Sequence, residues 1–318
     1  MNRKQILKFA EKVYGKQDKR VKELQNAFSG SSQRISDILS RFVADDRNWK
    51  TKAPKREIQA LMTEVSNMVI DESLDELSKQ FVQQTFRDLP IKSNEDLAKA
   101  AIRFEITKLA LQEHSVITVH LNKEAVLAEQ VIEEKLNGKR PNAAGKKANQ
   151  KKAYQTTKHY GRDKTIKAIT KIAKEHADWS GPDYQIRNFN EKVKLMNKLD
   201  QVVDEVVKSG SNGHEFTKDF AKQMGISESR AETLLRSESV ARFSQESLKE
   251  FKKNEVKKYK IESALLPTTC DDCEAQDGKV YKIDEAVVGV TMPPFHPRCF
   301  CIMTEVADYD FENNLEDD

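Results

Sequence analysis

Apolar residues recur every three or four positions along most of this 318-residue chain, which is the spacing of amphipathic helices. The clearest stretches are residues 3–44, 55–88, 188–208, 214–224 and 228–255. Turn-forming residues are scarce, with 11 Gly and 8 Pro in the whole sequence. Because sandwiches, barrels and doubly wound sheets need frequent turns, the pattern predicts a mainly α fold with an elongated helical body.

Shorter signals subdivide this pattern. The run Ser-Gly-Ser-Ser at 29–32 predicts a break between two helices, and Ser93 with Asp96 three residues later predicts a helix start. The run Val-Ile-Thr-Val-His at 116–120 is rich in β-branched residues and predicts a short strand. His114 and His120 are six residues apart, a spacing that suits no ligand pair, so we expect them to be packing or surface residues.

All four cysteines fall between residues 270 and 301, and in a reducing compartment such a cluster indicates a metal site. Cys270-x-x-Cys273 can turn two sulfurs toward one ion, and His296-x-x-Cys299-x-Cys301 can complete a tetrahedral site. Five candidate ligands compete for four positions of a structural Zn²⁺ ion, and the spacing leaves the choice among the last three open. The alternative is a reduced, metal-free cluster or a disulfide. A redox-active dithiol is not favoured, because no βαβ pattern surrounds Cys270 and Cys273.

The segment around these cysteines has the signals of a small Cys/His-rich α+β module at 265–303. Asp277-Gly278 favours a tight turn between short strands, and residues 280–283 alternate as a strand does. Zinc nucleobase deaminases use a similar Cys pair, together with a glutamate beside the histidine ligand. In this chain the histidine follows the cysteine pair instead of preceding it. Two residues after His296, where a deaminase has its glutamate, the chain has Arg298. The sequence therefore predicts a structural site and no enzyme.

Charge is unevenly distributed along the chain, although the formal net charge is only +3. Residues 139–174 contain twelve Lys or Arg and one acid, a net charge of +11, whereas residues 305–318 contain seven acids and no base. A basic run of this kind is either a solvated segment or a contact for double-stranded DNA that reads no sequence. The candidate DNA-binding residues are Lys146, Lys147, Lys151, Lys152, Lys158, Arg162 and Lys164.

The C-terminal motifs resemble those of phage minor head proteins with the Mu F-like head-morphogenesis domain. The resemblance rests on the Cys-x-x-Cys pair, on Asp-Gly-Lys-Val-Tyr at 277–281 and on Pro-Pro-x-His-Pro-x-Cys-x-Cys at 293–301. It continues upstream through residues 231–238, where the chain has Arg-Ser-Glu and family members have an Arg-Thr-Glu-like sequence. Ser237 and Phe300 depart from the family pattern, and neither is a candidate ligand.

With this resemblance, the sequence predicts four segments. They are an N-terminal helical region at 1–138, a basic flexible segment at 139–164, a head-morphogenesis domain at 165–302 that includes the module, and an acidic tail at 303–318. No run approaches the 18 apolar residues that a membrane span requires, and the N-terminus lacks the apolar region of a secretory signal.

The resemblance implies a minor capsid protein that assists head assembly and DNA packaging or delivery. Its implied partners are the phage portal protein, a capsid or scaffolding protein and double-stranded DNA. Its implied locations are the virion, at the head interior or portal vertex, and the host cytoplasm during assembly. The alternatives are a DNA-processing enzyme such as a nuclease carried in the head, and a DNA-binding accessory protein without a capsid role.

Overall fold

The structure is a computed structural model that describes residues 3–44, 49–137, 184–209, 214–263 and 269–306. The helices within these ranges are α1 (Arg3–Ala44), α2 (Lys55–Ile70), α3 (Glu76–Phe86), α4 (Asn94–Asn137), α5 (Tyr184–Ser209), α6 (His214–Lys253) and α7 (Asp271–Gln276). The strands are β1 (Lys258–Glu262), β2 (Val280–Lys282) and β3 (Ile302–Val306), with a 3₁₀ turn at Ile283–Glu285. The predicted fold class, mainly α with a small α+β module near the C-terminus, is confirmed.

The predicted helix start at Ser93 is also confirmed, and its hydrogen bonds explain why α4 begins there. The Ser93 N–H donates to Asp96 Oδ2 at 2.9 Å, and the Asp96 N–H donates to Ser93 Oγ at 3.2 Å. This reciprocal arrangement satisfies two amide groups that a helix N-terminus leaves without intrahelical partners.

The predicted break at residues 29–32 is wrong, because α1 continues through the Ser-Gly-Ser-Ser run. Phe28 and Ile35, which flank the run, are 1% and 0% exposed, and Ser31 is itself buried. A glycine inside a helix costs about 1 kcal/mol relative to alanine, which is less than the burial of one large apolar side chain contributes. Packing therefore overrides the local signal.

Two further local predictions are wrong for a similar reason. The run at 116–120, predicted as a strand, lies inside α4, where Ile117 and His120 are buried at helical spacing. The helices predicted separately at 214–224 and 228–255 form one helix, α6. In both cases buried residues continue at helical spacing across residues of low helix propensity, which are β-branched in α4 and include Gly225 in α6.

The chain divides into two compact units. The helical unit comprises Lys22–Val116 and His159–Glu232, and the sheet unit comprises Met1–Val21, Ile117–Lys158 and Thr233–Asp318. None of the described helices is long and apolar enough to cross a lipid bilayer. The domain boundaries predicted from the sequence stay a prediction.

The helical unit has an apolar core built from several helices. Phe81 of α3 stacks on Phe189 of α5, with ring centroids 4.3 Å apart and planes inclined by 8°. A second cluster joins α2, α3 and α4, and its members are Val65, Val82, Phe86, Met68, Val69, Leu89, Phe104 and Leu111. These contacts bury the stripes that the periodicity predicts.

A buried ion pair lies within the helical unit. The Lys192 ammonium on α5 is 2.6 Å from Glu113 Oε2 on α4, and each side chain is 1% exposed. Lys192 Nζ also lies 3.3 Å from Ser227 Oγ and 5.0 Å from the centroid of the Phe28 ring. Burial raises the pKa of Glu113, although the neighbouring lysine acts in the opposite direction. Each charge therefore depends on the other for compensation.

His114 forms a second buried polar contact in the helical unit. Its Nε2 is 2.7 Å from Asp75 Oδ2, and the other carboxylate oxygen of Asp75 accepts the Ser78 N–H at 2.7 Å, which caps α3. Burial raises the pKa of Asp75, but the hydrogen bond and charge of His114 and the Ser78 N–H outweigh it, and the pKa falls to about 2. Of the packing and surface roles expected for His114, the structure shows packing.

The sheet unit places its three strands in the antiparallel order β2-β1-β3. Tyr259 in the central strand pairs with Tyr281 on one side and with Glu305 on the other. One core cluster of this unit contains Ile132, Phe251, Tyr259, Ile261, Cys273, Ile283, Met292, Cys299, Cys301 and Met303. Three of the four cysteines thus belong to the same core as the central strand.

Candidate metal centre

Helix α7 positions the first two candidate ligands. Cys270 is the residue that precedes the helix, and its carbonyl accepts the Glu274 N–H at 3.0 Å. Cys273 lies three residues further on, in the first turn, and is 4% exposed. Residues three apart on a helix project from the same side, so both sulfurs point toward the loop that carries the other ligands.

A tight turn positions the second group of ligands. The peptide bond between Pro293 and Pro294 is cis, and the Cys299 N–H donates to the His296 carbonyl at 3.2 Å, which closes the turn. Arg298, between these ligands, has a left-handed backbone with φ 61°. The turn leads directly into β3, which begins at Ile302.

The five candidate ligands form two overlapping groups that share Cys273. One group is Cys270, Cys273 and His296, the other is Cys273, Cys299 and Cys301, and within each group the ligand atoms lie within 4.8 Å of one another. His296 Nε2 is 3.1 Å from Cys270 Sγ and 2.9 Å from Cys273 Sγ. The sulfurs of Cys273 and Cys299 are 3.7 Å apart.

The hydrogen bonds of His296 orient its ring toward the sulfurs. Nδ1 lies 2.8 Å from the Pro297 carbonyl, which can only accept, so we assign the proton to Nδ1. Nε2 then presents a lone pair to Cys270 and Cys273. An imidazole whose other nitrogen donates to a backbone carbonyl is the usual form of a metal-binding histidine.

The three inner cysteines have unequal acidities. The pKa of Cys299 is lowered to about 3, because the thiols of Cys273 and Cys301 both donate to its sulfur. The pKa of Cys273 and that of Cys301 are raised, chiefly by donation to neighbouring thiols of the cluster. The Cys301 backbone N–H also donates to Cys299 Sγ at 3.5 Å.

The donor set and its spacing fit a tetrahedral zinc ion. Zn–S and Zn–N bonds of about 2.3 and 2.0–2.1 Å require sulfurs about 3.8 Å apart and sulfur–nitrogen distances of about 3.5 Å. The Cys273–Cys299 separation of 3.7 Å meets the first requirement. The two sulfur–nitrogen distances of 2.9 and 3.1 Å must open by about half an ångström to admit the ion.

Glu274 and Asp277, two acids that follow Cys273, have different surroundings. Glu274 is exposed on α7. Asp277 accepts the Ser263 N–H on Oδ1 at 2.6 Å, and the Gly278 N–H donates to the Ile261 carbonyl at 2.8 Å. Gly278 has φ 75°, a conformation that favours glycine. The Asp277-Gly278 turn therefore joins α7 to β2, not strand to strand as predicted, and its carboxylate holds the end of β1.

The sequence identified the Cys/His residues that the structure brings together, but not the residues of α6 that hold them. Arg298 donates its backbone N–H to Ser237 Oγ at 3.1 Å and its side-chain Nε to Thr233 Oγ1 at 3.0 Å. The only sequence signal for this contact is the Arg-Ser-Glu run at 236–238, and the resemblance gives Ser237 no role. The seven candidate DNA-binding residues at 146–164 lie outside the described residues.

Residues 197–304 match the family described as Phage Mu protein F like protein. The match covers α6, β1, β2, the first residues of β3 and the whole Cys/His cluster. It supports a role in phage head morphogenesis. No curated protein and no solved structure matches the chain. The resemblance predicted from the cysteine and proline motifs is confirmed.

Proposed function

We propose, from the Phage Mu F-like domain at residues 197–304, that this protein is a non-enzymatic minor component of the phage head. The family match is the observation that carries the proposal. Mu F-like proteins are structural head-morphogenesis proteins, which favours an assembly role and virion location. We place the protein at the portal vertex or head interior, with portal and capsid or scaffolding proteins as its partners and with assembly in the host cytoplasm.

The Cys/His cluster then serves as a structural zinc site with Cys270, Cys273, His296 and Cys299 as ligands. The short contacts among these four side chains favour this set. The backbone N–H of Cys301 donates to Cys299 Sγ and would stabilise its thiolate. Four protein ligands fill a tetrahedral ion and leave no position for water or substrate. When bound, zinc would cross-link α7 to the turn before β3.

The basic run at 139–174 provides a contact for packaged DNA in this proposal. Its net charge of +11 is the supporting feature. If about six lysines or arginines reach phosphates, the logarithm of the association constant should fall with the logarithm of salt concentration at a slope of roughly −5. Neutralising Lys146, Lys147, Lys151 and Lys152 together should weaken binding equally for unrelated DNA sequences.

The decisive experiment is co-sedimentation of the full chain with proheads that contain or lack the portal protein. We expect the protein in portal-containing proheads at a few copies each, and its loss when the portal is missing. Retention without the portal would assign it to the capsid shell instead. Absence from all proheads, with DNA binding intact, would favour the accessory role.

A nuclease assay separates this proposal from the enzymatic alternative. We expect no cleavage of duplex DNA in the presence of magnesium, and a retarded band in a gel-shift experiment with chelator present. Metal-dependent cleavage that disappears when a single acidic residue is replaced would overturn the non-enzymatic assignment.

A further inference from the structure

The backbone of Arg298 has a conformation that needs external support. Its φ of 61° is disfavoured for any residue with a Cβ atom. Such a residue persists where the surrounding structure fixes it, and it does so most often at functional sites. Arg298 lies between His296 and Cys299, so its backbone decides how these two ligands are presented.

Two contacts from α6 supply that support. Ser237 Oγ accepts the Arg298 N–H at 3.1 Å, and Thr233 Oγ1 accepts the Arg298 Nε–H at 3.0 Å. Ser237 donates its own proton to the Thr233 carbonyl at 2.8 Å, one turn earlier on the helix. That bond fixes the hydroxyl orientation and leaves its lone pairs to accept from Arg298. Ser237 is 4% exposed, so water competes little for the bond.

We propose that Ser237 is a positioning residue of the metal centre. By holding the Arg298 N–H, it fixes the turn that presents His296 Nε2 and Cys299 Sγ to Cys273, at 2.9 and 3.7 Å. The inference rests on the proposed zinc site and adds a residue 61 positions away from the turn it holds. Helix α6 thereby becomes part of the outer shell of the site, and metal binding stabilises the contact between turn and helix.

The test compares three variants of the full chain, with Zn²⁺ and Co²⁺ as probes. Ser237→Ala removes the acceptor, and Ser237→Thr restores a hydroxyl at the same position. Ser247→Ala is the matched control, because Ser247 is fully buried on the same helix and its hydroxyl donates one turn back, to the Phe243 carbonyl at 2.8 Å. Thr233→Val, which removes the second contact of Arg298, serves as an independent variant if Ser237→Ala gives little folded protein.

We expect Ser237→Ala to weaken zinc binding by about tenfold or more in a chelator competition, the usual effect of losing an outer-shell partner. The visible absorption of the Co²⁺-loaded protein should change as well, because the ligand geometry changes. Ser237→Thr and Ser247→Ala should bind both metals as the unmodified protein does. In the metal-free state, Ser237→Ala and Ser247→Ala should have similar urea midpoints, which shows that the affinity change is not general destabilisation.

Each contrary outcome has a distinct meaning. Unchanged zinc affinity and cobalt spectrum in Ser237→Ala, while the unmodified protein binds one equivalent, would overturn the positioning role and leave the metal centre intact. An equal loss of affinity in Ser247→Ala would also overturn it, because the effect would then arise from helix stability. An unmodified protein that binds neither metal would overturn both the positioning role and the proposed zinc site.

Discussion

Cys299 and Cys301 are two residues apart and both are buried, yet their surroundings differ at the scale of single atoms. Cys299 Sγ is 3.7 Å from Cys273 Sγ and receives the Cys301 N–H. A backbone N–H that points at sulfur stabilises a thiolate and therefore a metal ligand. The Cys301 sulfur lies within 4.8 Å of those of Cys273 and Cys299, and all three cysteines belong to the apolar core that surrounds β1. The choice of Cys299 as the ligand therefore rests on the N–H contact to its sulfur.

This difference predicts opposite results for two serine substitutions. Cys299→Ser should reduce bound zinc to less than about a tenth of an equivalent, because a structural zinc site requires all four ligands. Cys301→Ser should retain about one equivalent and lose only packing stability. Elemental analysis of protein purified without chelator measures both. Loss of zinc from Cys301→Ser together with retention by Cys299→Ser would assign the fourth ligand to Cys301.

Glu274 and Asp277 are both acids within four residues after Cys273, but their surroundings in the structure differ. Glu274 is exposed, whereas Asp277 accepts the Ser263 N–H that ends β1. Glu274→Gln should leave zinc content and phage infectivity unchanged if the site is structural. Asp277→Ala should lower the free energy of unfolding of the sheet unit by about 1.5–3 kcal/mol, the value of a hydrogen bond to a charged group. Lost infectivity in Glu274→Gln, with normal incorporation into heads, would indicate catalysis.

At the scale of elements, local chemistry predicts where helices start more reliably than where they continue. The Ser93–Asp96 pair specified the start of α4, because its bonds lie within one turn. The continuity of α1 through Gly30 depends on the burial of Phe28 and Ile35, which only the tertiary fold decides. The same limit applies to the site. Spacing predicted its Cys/His residues, but the Ser237–Arg298 contact depends on a positive φ and a partner 61 residues away.

The start of α3 gives a prediction about pH. The folded pKa of Asp75 is about 2, below the usual aspartate value of 3.8, so its ionised form stabilises the fold above pH 4. That contribution is lost as the pH falls from about 4 to 2. Asp75→Asn keeps a residue that caps helices well but removes the charge facing His114. It should cost about 1–2 kcal/mol at pH 5 and little at pH 2.

Urea unfolding at both pH values measures this effect, and Asp75→Ala provides the comparison. The alanine variant loses the cap as well as the charge, so it should cost about 1 kcal/mol more than the asparagine variant at both pH values. An asparagine deficit that is the same at pH 5 and pH 2 would contradict the assignment of the shift to His114.

At the scale of the whole molecule, each unit buries polar groups in its core: the helical unit buries an ion pair, and the sheet unit buries cysteines. In the helical unit, Lys192→Met would leave Glu113 buried without its partner and should cost about 3–5 kcal/mol at pH 7. Because burial already raises the pKa of Glu113, the variant should recover stability as the pH falls toward 5 and the carboxylate binds a proton. The double variant Lys192→Met, Glu113→Leu should recover most of the loss at pH 7, as denaturant titration would show.

Metal removal should destabilise the sheet unit and leave the helical unit unchanged. Cys273, Cys299 and Cys301 share one core cluster with Tyr259 and Ile261 of the central strand. If the proposed zinc ion binds to this cluster, its removal would take away a cross-link of the core. Metal binding energy is folding energy for a small module of this kind. Hydrogen exchange with and without a chelator should therefore show lost protection in β1 and β3.

Protection in α5 should persist under the same conditions, because its buried residues pack within the helical unit, as Phe189 does on Phe81. Restoring Zn²⁺ to the chelated protein should return the protection of β1 and β3, which excludes an irreversible effect of the chelator. A parallel loss in α5 and β1 would show that the two units unfold as one cooperative body. Unchanged protection in β1 and β3 would show that the apolar core alone holds the sheet and that the ion adds no stability.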